Sequence, residues 1–304
     1  MYDYNMLTPG PSKVRKNVLE ARAIQAGNSD LDPEFYDFYK RTCAKYSHFL
    51  NTANPSFLLS GEGILGLEAA CASLTEPGDR VLVLDNGIFG RGFADFVRIY
   101  GGEPVLFSTD PHAPIAPEAL RAFLKKDADF RYATLVHCDT PSGVLNDIHA
   151  LCPILKEYGI LTVVDSVSGM FGNPVDARRA KIDILLGGSQ KALSCPTGLT
   201  MVTVSQDAFR RMVKNMSQAD RTVFARSQLV LLRERDISQL FVDGLVGRNF
   251  SQPLAFYLDK RRDYLNAMMQ LCRPGRKTVQ QLPSIVFEEP PAAAAGKNVP
   301  AEQA

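Results

Sequence analysis

Neither sign of charge is in excess in this 304-residue sequence: 34 Lys and Arg stand against 33 Asp and Glu, a net of +1. No global basic field exists to draw nucleic acid or an anionic membrane surface, so the expected partner is a small molecule. Histidine is scarce, at four residues, and the six cysteines (Cys43, Cys71, Cys138, Cys152, Cys195 and Cys272) are scattered with no CxxC pair. That spacing argues against a zinc site and against a disulfide framework, and leaves reduced thiols, several of them in the core. No stretch approaches the roughly 18 apolar residues needed to span a bilayer. The start, Met1 to Lys13, lacks the basic flank and apolar run of a secretory leader. The expectation is a cytoplasmic protein with no membrane and no nucleic-acid partner. No glycine loop followed by Gly-Lys-Ser/Thr occurs, so P-loop nucleotide binding is not favoured.

What is present is enough for a core. Hydrophobic residues make up 45% of the chain, and its length suits one large α/β domain with a smaller appendage. Asp32-Pro33 offers a helix N-cap followed by proline at the first helical position, after which Phe35, Phe38, Thr42, Tyr46 and Phe49 recur at helical spacing. From residue 57 short apolar runs alternate with helical patterns. Runs at 57–59, 81–84, 105–107, 133–137, 161–164, 184–186 and 199–204 read as strands, with helices between most of them. Strands buried on both faces and separated by helices predict a mostly parallel sheet with right-handed crossovers. In such sheets ligands bind beyond the carboxyl ends of the strands, and the polar clusters stand at those ends: Asp85-Asn86, His137 to Thr140, Asp165-Ser166 and Gly188 to Lys191. Beyond about residue 218 the strand series fades. The tail from Glu289 has only Val299 as a large apolar residue, and disorder is expected there.

Three features carry chemistry. Ser60-Gly61-Glu62-Gly63 lies between a strand and a helix, where glycine lets the backbone approach a ligand and the helix start offers free N–H groups to a phosphate. An ordinary glycine-rich turn would read the same way. Asp165 follows four apolar residues, a place where a carboxylate needs either a cation, such as a protonated pyridine nitrogen, or a helix N-terminus to cap. Lys191, in Gly188-Ser189-Gln190-Lys191-Ala192-Leu193, sits in a turn directly after a buried strand and presents one amine among small residues. A partly desolvated lysine of this kind can form a Schiff base.

In order and spacing, Ser60-Gly61-x-Gly63, Asn86 to Gly90, Thr140 to Leu145, Val164 to Val167 and Gly188 to Leu193 resemble the class V, fold-type I aminotransferases. The likeness over about residues 5–215 is to the alanine–glyoxylate and serine–pyruvate group. The resemblance implies a pyridoxal 5'-phosphate (PLP) enzyme acting as a homodimer. It would move an amino group between a small amino acid of the alanine or serine type and a small 2-oxo acid of the glyoxylate or pyruvate type, by a ping-pong mechanism. It implies that Lys191 forms the Schiff base with the cofactor and then moves a proton between the substrate α-carbon and the cofactor C4′ atom. Asp165 would hold the pyridine nitrogen, Phe89 would stack on the ring, and Thr140 would bond near the phenolic oxygen. The phosphate would lie on Glu62, Gly63 and Ile64 with Gln190 adding a side-chain donor, and Gly10 would line the substrate entrance. Cysteine desulfurases typically place His before the lysine and stack His on the ring; Gln190 and Phe89 stand in those places here, which favours transamination over a desulfurase-like or lyase activity.

Beyond residue 218 the sequence departs from the family, where a C-terminal domain brings an arginine for the substrate carboxylate. Arg226, Arg233, Arg235 and Arg248 qualify by residue type only, and a catalytically impaired PLP-binding fragment stands as a further alternative. The expected organisation is an N-terminal arm (1–20), a PLP-binding large domain (21–217), an atypical C-terminal segment (218–288) and a disordered tail (289–304).

Overall fold

The computed structural model describes residues 6–24, 27–28 and 32–214. The expectations for the segment 218–288, for its four arginines and for the tail 289–304 lie outside the described residues.

Seven strands form one sheet in the order β1-β7-β6-β5-β4-β2-β3. Their ranges are β1 Ser56–Ser60, β2 Arg80–Asp85, β3 Glu103–Ser108, β4 Tyr132–Val136, β5 Leu161–Asp165, β6 Ile184–Gly188 and β7 Leu199–Val204. β2 pairs in parallel with β3 and β4, β4 with β5, and β5 with β6. β7 is antiparallel to both its neighbours, β6 and β1, so it alone runs against the rest. The sheet is mostly parallel, as the alternating pattern predicts. The reversal of β7 has a consequence for the site. The chain leaves β6 at the carboxyl rim, turns through residues 189–198, and re-enters the sheet at that same rim, where β1 also ends.

Helices cover both faces. α1 Lys16–Ala23 lies in the N-terminal arm and buries no residue. α2 spans Pro33–Phe49, and Asp32 caps it by accepting from Glu34 N at 3.0 Å, so the cap signal in the sequence is realised. α3 Gly63–Leu74, α4 Ile88–Ile99, α5 Pro117–Leu124 and α6 Ile148–Glu157 follow the strands they are expected to follow, and α7 Gln206–Lys214, which the sequence pattern does not mark, follows β7. Asp147 starts α6 by accepting from His149 N and Ala150 N at 3.0 and 3.1 Å.

Period-two alternation divides the strand side chains between two apolar layers. Leu82, Leu84, Ala133, Leu135 and Val164 point to the layer that contains Leu120 of α5 and Leu151 and Leu155 of α6. Val81, Val83, Tyr132, Val136 and Val163 point to the layer that contains Leu67 and Leu74 of α3 and Phe93 and Val97 of α4. Leu82, Leu84 and Leu135 are wholly buried, and each such side chain contributes about 1.5–3 kcal/mol by leaving water. Two packed faces make the sheet a rigid plate, and its carboxyl rim is held in place by both. The cysteines among the described residues, Cys43, Cys71, Cys138, Cys152 and Cys195, are all free thiols. Among the described residues no helix is long and apolar enough to cross a membrane, and no cluster of His, Cys, Asp or Glu could hold a metal ion.

Candidate functional site at the carboxyl rim

The strand ends bring the sequence clusters together as the topology requires. β5 delivers Asp165, and its next neighbour in the sheet after β6, the returning β7, begins beside the loop that carries Lys191. Asp165 is 5% exposed and accepts a side-chain hydrogen bond from Val167 N at 2.9 Å. Burial pushes its pKa up to about 6; the Val167 N–H and the charge of Lys191 work in the opposite direction. The lysine field thus reaches the aspartate, although their sequence separation is large. A carboxylate this deep, with one backbone donor and a nearby amine, has acceptor capacity left for a cation.

The loop after β6 is stapled at both ends. Ser189 Oγ donates to Pro196 O at 2.6 Å and accepts from Leu199 N at 3.2 Å. Cys195 N donates to Ser189 O at 3.0 Å and Ser194 N to Lys191 O at 2.9 Å. Lys191 is half-buried within this turn. The N-terminal arm grips the same turn, with Ser12 N donating to Gln190 O at 2.9 Å and Ser12 Oγ to Lys191 O at 2.6 Å. Gly10 then lies directly against the lysine side chain.

The glycine loop after β1 reaches the same place. Gly61 has φ of 150° and Gly198 of 129°, conformations that favour glycine, and Gly61 N donates to Gly198 O at 2.8 Å. Thr200 Oγ1 donates to the carbonyls of Gly61 and Glu62 and so fixes the entry to α3 from below. α3 begins at Gly63 with no side chain capping it, which leaves its first N–H groups available to an anion. A Cβ on Gly63 would lie 2.6 Å from Val167 Cγ2, so only glycine lets the start of α3 close onto the segment after Asp165. Val167 is also 3.0 Å from where a Cβ of Gly188 would stand, and Gln190 Oε1 is 2.9 Å from that same point. Glu62, Gly63, Ile64 and Gln190 are thereby gathered around Val167. Gln190 is 7% exposed and its Oε1 has no hydrogen-bond partner, an orphaned polar atom that a bound group or a water would have to satisfy.

Phe89 stands at the start of α4, 40% exposed, and its backbone N donates to Asp139 Oδ1 at 3.3 Å. Thr140 follows β4, and its Oγ1 is hydrogen-bonded to Ser168 Oγ. Ser168 is three residues beyond Asp165, so the β4 and β5 ends are tied together at the rim.

Two further residues of the His137 to Thr140 cluster have no role assigned from the sequence. Asp139 is 1% exposed and binds two separate loops. His137 is 3% exposed, and its Nδ1 is 2.8 Å from Ser166 Oγ. Their position after an apolar strand marks them as rim residues, but their partners are 50 and 29 residues away along the chain. No local pattern identifies those pairings.

Tested against PLP, the rim fits. Asp165 is a buried carboxylate with acceptor capacity left for a protonated ring nitrogen, Lys191 supplies an amine from the turn after the neighbouring strand, and the uncapped start of α3 beside Gln190 suits a phosphate.

The chain is similar to several known proteins. The family model for aminotransferase class V matches residues 9–229. An uncharacterized aminotransferase of Methanocaldococcus jannaschii is 34% identical over 211 residues, 69% of this chain and 54% of that protein. The pyridoxamine–pyruvate transaminase of Mesorhizobium japonicum is 34% identical over 209 residues, 69% of this chain and 53% of that protein. The crystal structure of pyridoxamine–pyruvate aminotransferase from Mesorhizobium loti superposes with a TM-score of 0.69 at 28% identity, covering 87% of this chain and 71% of that one. The chain spans about half the length of the curated relatives it matches.

Proposed function

This chain belongs to the aminotransferase class-V family, and from that premise we propose that it is a PLP-dependent aminotransferase. In this reading it passes an amino group from a small amino acid of the alanine or serine type to a small 2-oxo acid such as glyoxylate or pyruvate. The observation that carries the reading is that the buried carboxylate of Asp165, at the end of β5, and Lys191, in the turn after the neighbouring β6, stand at one strand-end rim.

PLP, when bound, supplies an electron sink for the carbanion that forms when an amino acid loses its α-proton. The chain's own residues do the rest. Asp165 accepts from the ring nitrogen and keeps that nitrogen protonated, which is the state that withdraws electrons. Its burial makes the pair strong, because little water competes for either charge. Lys191 Nζ would hold the cofactor and would then be the group that takes the substrate α-proton and returns it. The Ser12 clamp and the Ser189 staple restrict the turn that aims this amine. Phe89 would cover one face of the ring, Thr140 would bond near the phenolic oxygen, and Glu62, Gly63 and Ile64 would offer backbone N–H groups to the phosphate. Gln190 closes the phosphate side, and Gly10 lines the approach to Lys191.

The same reading makes the protein a cytoplasmic homodimer acting on small-molecule amino acid and 2-oxo acid substrates, with the large PLP-binding domain over 21–217. Free thiols throughout the described residues support a reducing compartment. Exposed Ile64, Leu65 and Ile88 at the starts of α3 and α4 support a subunit contact beside the site.

An absorbance spectrum of the purified chain with PLP tests the proposal. A visible band is expected in the wild type and absent from Lys191→Ala. Addition of an amino donor should bleach that band with stoichiometric keto acid and pyridoxamine phosphate. Release of sulfide or ammonia instead would point to lyase chemistry, and a chain that stays colourless with PLP refutes the reading.

A further inference from the structure

Asp139 is a buried charge that the proposed chemistry does not use. It stands three residues beyond the end of β4 and is 1% exposed, so its desolvation must be offset by what it binds. Its two oxygens serve different loops. Oδ1 accepts from Phe89 N at 3.3 Å, and Oδ2 accepts from Ser142 N at 3.3 Å and from Ser142 Oγ at 2.8 Å. Its backbone closes the second loop as well, with Gly143 N donating to Asp139 O at 2.8 Å and Asp139 N donating to Val144 O at 3.0 Å.

The first of these loops is the start of α4. That helix has Gly87 at its N-cap position and no side chain of its own capping it. A carboxylate from β4 therefore does what a local Ser or Asp would ordinarily do, and it gains from the positive end of the helix. Access depends on Gly87: a Cβ there would stand 2.5 Å from Asp139 Cγ and 2.7 Å from each carboxylate oxygen. Any side chain at residue 87 would push the carboxylate off the helix. The second loop, 139–144, carries Thr140, whose hydroxyl is bonded to Ser168 beyond Asp165.

A local cap would hold α4 equally well. Only a cap drawn from β4 also fixes the distance between α4 and the Thr140 turn. We propose that Asp139 is a positioning residue that locks the Phe89 ring and the Thr140 hydroxyl into one geometry around the cofactor ring. The inference rests on the PLP reading above and deepens it. Asp139 touches no reacting atom; it acts through Phe89 N and through the Ser142 turn.

The test compares Asp139→Asn and Ser142→Ala with the wild type by three measurements: PLP titration followed in the visible band, circular dichroism of that band, and melting of the PLP-free protein. Asparagine keeps the shape but can no longer accept from both loops, so PLP affinity should fall on the order of tenfold, with a weakened visible dichroism. The PLP-free protein should melt close to the wild type. Ser142→Ala leaves the Phe89 contact and removes one anchor from the turn, so a few-fold loss in the same direction is expected. Wild-type affinity and dichroism in Asp139→Asn overturn the proposal. If Asp139→Asn fails to fold, Ser142→Ala decides alone, and wild-type affinity and dichroism in that variant overturn it. A wild-type chain that takes up no PLP overturns the functional reading and this inference with it, whereas PLP uptake that is indifferent to both substitutions overturns the inference alone.

Discussion

Gly10 lies against the side chain of Lys191: a methyl group at residue 10 would stand 2.2 Å from Cδ, 2.8 Å from Cε and 3.0 Å from Nζ. Two residues further on, Ser12 holds the lysine's own carbonyl. The N-terminal arm thus grips the lysine backbone while leaving its amine the width of a hydrogen atom instead of a methyl group. One short segment both fixes where the turn sits and sets how far the amine can swing.

Substituting Gly10→Ala should therefore disturb the amine without disturbing the fold. The nearest atoms are the flexible end of a side chain, which can swing aside, so the PLP-free protein should melt within about a degree or two of the wild type. PLP binding should weaken by about tenfold or more, because the displaced Nζ no longer aims at the rim. Visible-band titration of the two proteins checks this, and equal affinities would show that the arm leaves the amine free.

Asp165→Asn should stabilise the PLP-free protein while weakening its hold on PLP. The carboxyl of Asp165 is raised from 3.8 to about 6 in the folded state, so the folded state binds its proton more tightly than the unfolded chain does. Its ionisation is a cost to folding that is fully present above about pH 6 and vanishes as pH falls below 3.8. That difference corresponds to about 3 kcal/mol. Asparagine keeps an acceptor for Val167 N and carries no charge. Urea unfolding of the two PLP-free proteins should therefore favour the variant at pH 7.5 and show convergence near pH 4, while PLP titration should favour the wild type. A variant that is less stable at pH 7.5 would mean that the carboxylate is not strained by its burial.

How much of this was legible in the sequence depends on whether the relevant partner was local. Asp32 and Asp147 announce their helices because a cap reads the next two or three N–H groups. Asp165 and Lys191 stand out because each ends an apolar run, and the parallel sheet then has to carry both to one rim. The direction of β7 was not legible, since an apolar run of six residues looks the same in either direction. α1 has no apolar stripe to reveal it, because it buries nothing. Asp139 and His137 were visible as rim residues, but the hydrogen bonds that define them cross from one strand end to another. Such pairings follow from strand order, and strand order is a property of the folded sheet. The resemblance to class V aminotransferases supplied roles for residues facing the cofactor, while the residues that hold those in place emerge only from the contacts.

His137 and Asp165 should oppose each other in acid. The His137 imidazole is 3% exposed, has Gly169 packed on its ring, and is hydrogen-bonded through Nδ1 to Ser166 Oγ at 2.8 Å. Burial, with His149 adding to it, lowers its pKa from 6.5 to about 4. The unfolded chain therefore binds the His137 proton more readily, and the stability this neutral side chain contributes is complete above pH 6.5 and lost as pH falls toward about 4. Asp165 gains stability over nearly the same interval, from about 6 down to 3.8. Each amounts to about 3 kcal/mol, so between them the PLP-free wild type should show little net slope across this range. Asp165→Asn removes the compensating half and should expose a loss of about 3 kcal/mol on going from pH 6.5 to 4. His137→Asn should expose the reverse slope, with stability rising as the solution is acidified. Urea titrations at closely spaced pH values distinguish these outcomes. Parallel curves for all three proteins would mean that neither group changes its proton affinity on folding.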